Sequence, residues 1–160
     1  MLHDNDNGPP PDEVSCLVAA PADRVYGIIT DIAQMGRLSP ECTGGHWRGD
    51  ATQAAVGASF TGRNRRGIMR WSTKNTVVVA TPGQEFAFET QQSGTRWTYR
   101  LEADGPNTVV TESRTAFKPR PLVARIFTHL FLGGGTGHED EMRTGMTATL
   151  DRLKAIAEAE

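Results

Sequence analysis

Cys16 and Cys42 are the only cysteines in the chain, with no CxxC spacing and no Cys/His pairing. A disulfide framework and a structural zinc site are therefore not expected. His46, His129 and His138 also have no partner at ligand spacing, so no metal is expected. No apolar run is long enough to cross a bilayer. The stretch from Leu122 to Leu132 reads as a short helix of eleven residues, where a span needs about 20. Neither sign of charge dominates. Lys plus Arg number 17 against 19 for Asp plus Glu, and a net charge of −2 gives no overall pull toward nucleic acid or an acidic membrane surface. The first residues lack the basic, apolar and small-residue segments of a secretory leader, which sets the expectation of a cytoplasmic protein with both thiols reduced. Gly133, Gly134, Gly135 and Gly137 lack the Gly-Lys-Ser/Thr of a phosphate loop and do not follow a strand. They read as a hinge or lid, and no cofactor is expected.

What is present is enough for one domain, since 160 residues can bury roughly two thirds of their unfolded surface. Residues 1–13, with Pro9, Pro10 and Pro11 among Asp, Asn and Gly, read as a disordered tail. The domain is expected over 14–160. Val14, Cys16 and Val18 alternate as a first strand, and Pro21 at a first helical position opens a short helix burying Val25, Ile28, Ile29 and Ile32. A second short helix over 31–38 ends before Ser39-Pro40. The period then changes to two. Strands are expected over 41–48, 57–65, 69–80, 85–92, 95–103 and 108–117, divided by turn signals such as Arg66-Gly67, Pro82-Gly83, Ser93-Gly94 and Asp104-Gly105. Met142, Met146, Leu150, Leu153 and Ile156 form one stripe of a closing helix, with Thr136 and Glu139 as its capping box. The plan is α+β: a curved antiparallel sheet of about seven strands wrapped around a long C-terminal helix, with two short helices after the first strand.

Alternation puts Phe60, Gly62 and Asn64 on one face, with Trp71, Thr73, Asn75, Val77 and Val79, then Phe86 and Phe88, then Trp97, Tyr99 and Leu101. Arg63, Arg65, Arg70, Lys74, Glu89, Arg100 and Glu102 fall on the solvated face. Glu112 and Arg114 share a face of the last strand and are expected to pair across to Arg100 and Glu102 in that solvated ladder. A shift of one in parity would instead bring Glu112 inside as a candidate base.

The order of elements, with A-P-A-D-R-V-Y (20–26) and Asp31, resembles the START/Bet v 1-like superfamily, also called SRPBCC, of helix-grip fold. S-P-E-C (39–42), H-W-R-G (46–49), G-R-N-R-R-G (62–67), R-W-S-T (70–73) and T-R-W-T-Y (95–99) look like its polyketide cyclase/dehydrase-type branch, found in actinobacteria. The resemblance implies a mainly apolar cavity between the sheet and the last helix, holding a lipid, polyketide, sterol or similar molecule. Aromatase/cyclases of this kind tend to use an inward Arg on the strand where this chain has Asn75, a departure that weighs against cyclase chemistry.

The expected cavity wall is Phe60, Asn64, Trp71, Thr73, Asn75, Phe86, Phe88, Trp97, Tyr99, Met142 and Met146. Trp71, Trp97 and Tyr99 serve equally well as core, and Asn64, Thr73 and Asn75 need partners from backbone, water or ligand. Asn75 and Tyr99 are the catalytic candidates, and Tyr26 is a weaker one. Three functions follow in order. The first is binding of a hydrophobic small-molecule ligand. The second is a metal-independent cyclase or dehydratase acting on a polyketide-type substrate. The third is an RNA or protein interaction module using the Arg63–Arg70 hairpin, although nucleic acid is not the expected partner because no exposed aromatics interleave its charges. The oligomeric state stays open.

Overall fold

The computed structural model describes residues 12–117 and 135–159, and side chains of the second segment from Arg143 onward. Strand β1 (Asp12–Val18) leads into helix α1 (Ala22–Ile29) and a 3-10 helix (Ile32–Arg37). Six strands follow: β2 (Cys42–Trp47), β3 (Ser59–Arg66), β4 (Met69–Thr81), β5 (Glu85–Thr90), β6 (Thr95–Asp104) and β7 (Asn107–Ala116). Helix α2 (Gly135–Ala159) closes the chain. All strand pairs are antiparallel in one sheet of order β1-β7-β6-β5-β4-β3-β2, so a meander is completed by β1 adding to its far edge. This is the α+β plan the residue pattern implied and the helix-grip fold the resemblance implied.

The core lies between one sheet face and the helices. Val18, Val25, Ile29, Ile32, Phe60, Val77, Phe86, Val110, Leu150, Leu153 and Ala157 are buried in a single cluster. The packing of α2 falls on β1, α1 and β7. Its C-terminal turns are tied down by polar contacts: Lys154 Nζ donates to Leu17 O (2.9 Å), Ala19 N–H to Glu158 Oε2 (2.8 Å) and the Arg24 guanidinium to Ala157 O (3.3 Å). At the opposite edge, the 3-10 helix covers β2 closely enough to require glycine. A Cβ on Gly45 would stand 2.9 Å from Thr61 O and 3.0 Å from Ile32 Cγ2.

Several expectations are corrected. β1 begins two residues before Val14, because Asp12 pairs with Arg114 across the sheet in both register and charge. Pro21, with φ −69°, caps α1 from outside rather than starting it. Thr136 lies within α2 rather than at its cap, so the glycines do not delay the helix as far as expected. A bulge between Val77 and Val79 turns β4, and Ala80 rather than Val79 stands opposite Phe86 on the inner face. The apolar stretch 122–132 and most of the glycine run lie outside the described residues. No helix among the described residues is long and apolar enough to cross a membrane.

The largest correction concerns β7. Its connection to β6 is a two-residue turn, Gly105-Pro106, with Asp104 opposite Asn107 and Gly105 at φ 61°. That register sets Tyr99 against Glu112, Trp97 against Arg114 and Arg100 against Thr111. Glu112 therefore faces inward, and no ladder with Arg100 and Glu102 forms. Arg100 instead approaches Glu85 at 3.6 Å on the exposed face.

Candidate binding and acid/base site on the inner sheet face

The strand registers arrange the inward side chains in rows across the sheet. One row runs Val14, Glu112, Tyr99, Phe86 and Ala80. The next runs Asp12, Arg114, Trp97, Phe88 and Val77. A third carries Thr95, Thr90, Asn75, Phe60 and Trp47, and beyond it lie Thr73 with Gly62 and Trp71 with Asn64 and Cys42. Every described sheet residue of the expected wall is thus on one face. Met146 is buried on α2, and the side chain of Met142 lies outside the described residues.

Phe60, Phe86 and Phe88 form the buried floor. Phe60 meets Phe88 edge to face at 5.1 Å and Trp47 at 5.6 Å, while the Tyr26 ring stands edge-on to Phe86 at 6.5 Å. Trp71, Trp97, Asn64 and Thr73 remain partly exposed on this same face. His46 points to solvent, and no cluster able to hold a metal occurs among the described residues. Arg63, Arg65 and Arg70 are exposed on the outer side of the β3–β4 hairpin, and Arg66 approaches Glu41 at 3.9 Å.

Asn75 is occupied by its neighbours. The Thr90 hydroxyl donates to its Oδ1 (2.7 Å), and its Nδ2 donates to Thr73 Oγ1 (3.0 Å), with Phe60 O and Thr73 O both at 3.4 Å. The amide thus locks β3, β4 and β5 together, with backbone and neighbouring hydroxyls as its partners. Gly62 leaves room for this knot, since a Cβ there would come within 2.9 Å of Thr73 Oγ1. Asn75→Ala is expected to lower stability by about 2 kcal/mol, because it strands the buried Thr90 hydroxyl. Urea denaturation measures this, and a loss below about 0.5 kcal/mol would show the knot to be dispensable.

Glu112 and Tyr99 are different. The Tyr99 hydroxyl donates to Glu112 Oε1 at 3.0 Å, and Glu112 is only 2 % exposed. Oε2 is buried and has no hydrogen-bond partner among the described residues. Burial pushes the Glu112 carboxyl up to about 8, against the opposing pull of the Tyr99 hydrogen bond. Burial, with the adjacent carboxyl, also raises the Tyr99 hydroxyl well above the usual phenol range. Arg114, two residues along on the same face, is engaged by Asp12, which Arg143 of α2 also approaches at 3.6 Å. A carboxyl near neutral in pKa beside a fixed phenol is a group that can hold or move a proton. Sequence reasoning kept Tyr99 but placed Glu112 outside. The two-residue turn at Gly105-Pro106 is the signal that brings them together.

Comparison with known proteins adds the lineage. The family model described as polyketide cyclase / dehydrase and lipid transport matches residues 13–158. The chain belongs to that family. Among solved structures, the Polyketide_cyc-like protein Cgl2372 of Corynebacterium glutamicum is similar at 30% identity, with 94% of each chain covered and a TM-score of 0.61. The KanY protein shares the fold at 18% identity and TM-score 0.68, with 94% of this chain and 99% of that one covered. So does the di-domain ARO/CYC StfQ from the steffimycin biosynthetic pathway, at 15% identity and TM-score 0.69, where the match covers 92% of this chain and 50% of that one. Among curated proteins no sequence matches. The Asn75 knot, the Tyr99–Glu112 pair and the Asp12–Arg114 ion pair are polar features set into the inner sheet face of this family member.

Proposed function

We propose that this family member binds a hydrophobic small molecule, of lipid, polyketide or isoprenoid-like character, between the inner sheet face and α2. The observation that carries the reading is the partial exposure of Trp71 and Trp97 on a face whose floor of Phe60, Phe86 and Phe88 is buried. A flat apolar wall with a few polar groups is what such ligands need. Free thiols at Cys16 and Cys42 suit a reducing, cytoplasmic setting. Titration with fatty acids and polycyclic ketones, followed by tryptophan fluorescence, is expected to give saturable quenching by at least one class. Trp71→Ala is expected to weaken that binding about tenfold. No saturable response from any class would overturn the reading.

The Tyr99–Glu112 pair favours a second reading, a metal-independent cyclase or dehydratase. As carboxylate, Glu112 takes a proton from a methylene between two ketones of a poly-β-ketone. The electron pair left behind forms a carbon–carbon bond to another carbonyl of the same chain, which closes the ring, and the alkoxide oxygen takes the proton back from Glu112. Loss of that hydroxyl with a proton from the adjacent carbon, as water, leaves a carbon–carbon double bond. The site would contribute orientation as well as the base. Turnover of such a substrate is expected to fall at least about 100-fold in Glu112→Gln. Unchanged turnover in that variant would remove Glu112 from the chemistry.

A further inference from the structure

We propose that Glu112 acts as an uncharged hydrogen-bond donor that selects ligands presenting a neutral acceptor oxygen, such as a ketone or quinone carbonyl, at the buried end of the aromatic wall. This rests on the reading that the inner face binds a small molecule, and it assigns the chemistry of the ligand's inner end. The geometry points there in three ways. Oε1 is already taken by the Tyr99 hydroxyl, so a proton on the carboxyl resides on Oε2. Oε2 is buried without a partner among the described residues, and a buried polar atom left unpaired costs free energy that a ligand atom recovers. The pair is flanked in its row by Phe86 and Val14, and the next row places Trp97 beside an Arg114 that is already paired with Asp12.

The charged and titratable groups facing Glu112 do not displace this assignment. Tyr99 of β6 is its hydrogen-bond donor, and burial holds that phenol protonated. Arg114 of β7 is paired with Asp12 of β1, and Arg143 of α2 approaches the same Asp12. Cys42 of β2 lies close enough to influence Tyr99, and burial keeps its thiol raised. With its neighbours engaged, Glu112 stays neutral below about 8 and is a donor there. Above that, it becomes a carboxylate that can only accept.

The test compares 2-acetylnaphthalene with 2-isopropenylnaphthalene, in which a CH2 group replaces the carbonyl oxygen, using the full chain at pH 6 and pH 9.5. The ketone is expected to bind about tenfold tighter at pH 6, and the preference is expected to vanish at pH 9.5. Glu112→Gln, which keeps an N–H donor, should hold a ketone preference that ignores pH. Glu112→Leu should abolish it while still binding the hydrocarbon. Equal affinity of the wild-type chain for both probes at pH 6, or a preference that survives Glu112→Leu, would overturn the assignment while leaving the binding reading intact. Binding of neither probe by the wild-type chain would overturn both.

Discussion

Glu112→Gln is expected to flatten the dependence of stability on pH between about 4.5 and 8, and to stabilise the chain by about 2 kcal/mol at pH 7. The folded carboxyl titrates near 8, whereas an unfolded one titrates near 4.5. Between those values the folded state holds a proton that the unfolded state has released, so stability falls as pH rises. The contribution is complete below the unfolded value and lost as pH passes through the folded one. A shift of this size corresponds to roughly 5 kcal/mol over the whole window and about 3 kcal/mol at pH 7. Glutamine removes that cost and keeps an acceptor for the Tyr99 hydroxyl, but its N–H groups gain no certain partner, which offsets part of the gain. Urea denaturation of both chains at pH 5, 7 and 9 isolates the effect, because the two chains differ only at residue 112. Curves that stay parallel would mean that Glu112 is ionised and solvated in the folded chain.

Phe60→Ala is expected to cost about 3–5 kcal/mol. Phe60 is 0 % exposed, and its ring meets Trp47 and Phe88 edge to face. Its carbonyl also lies 3.4 Å from Asn75 Nδ2, so the residue joins the aromatic floor to the polar knot. Truncation leaves a void under the proposed ligand wall that the sheet backbone is poorly able to close. Phe60→Leu should cost markedly less, since it retains most of the volume. Denaturation midpoints with unchanged m-values measure both, and an alanine cost below about 1 kcal/mol would mean that the floor is not close-packed.

Most of the fold was legible because its signals are local. Period-two strands, glycine turns and the Met146–Leu150–Leu153 stripe each follow from neighbouring residues, and the structure has all seven strands. The faces of β3 through β6 were also readable, since Trp71, Phe86, Phe88 and Trp97 mark them by size alone. β7 was not. Its run Thr108-Val109-Val110-Thr111 has no clean alternation, so the side facing the core is decided by the turn that pairs it with β6. Glu112 was misplaced for that reason, and a charged residue inside contradicts the usual preference that guided the reading. Asn75 shows the converse limit. Its position on the inner face follows from alternation, but its occupation by Thr90 and Thr73 depends on cross-strand register. Asp12 and Arg114 lie 102 positions apart, so the pair that starts β1 early had no local trace at all.

The most direct test of a small-molecule site on the inner face is native mass spectrometry of the protein purified from its own host, followed by denaturation and identification of what is released. The account predicts one apolar species bound near one to one, carrying at least one neutral carbonyl oxygen, and absent from a Trp71→Ala, Trp97→Ala chain that still folds. A wild-type chain that emerges empty, and stays empty after incubation with lipid and polyketide pools, would contradict it.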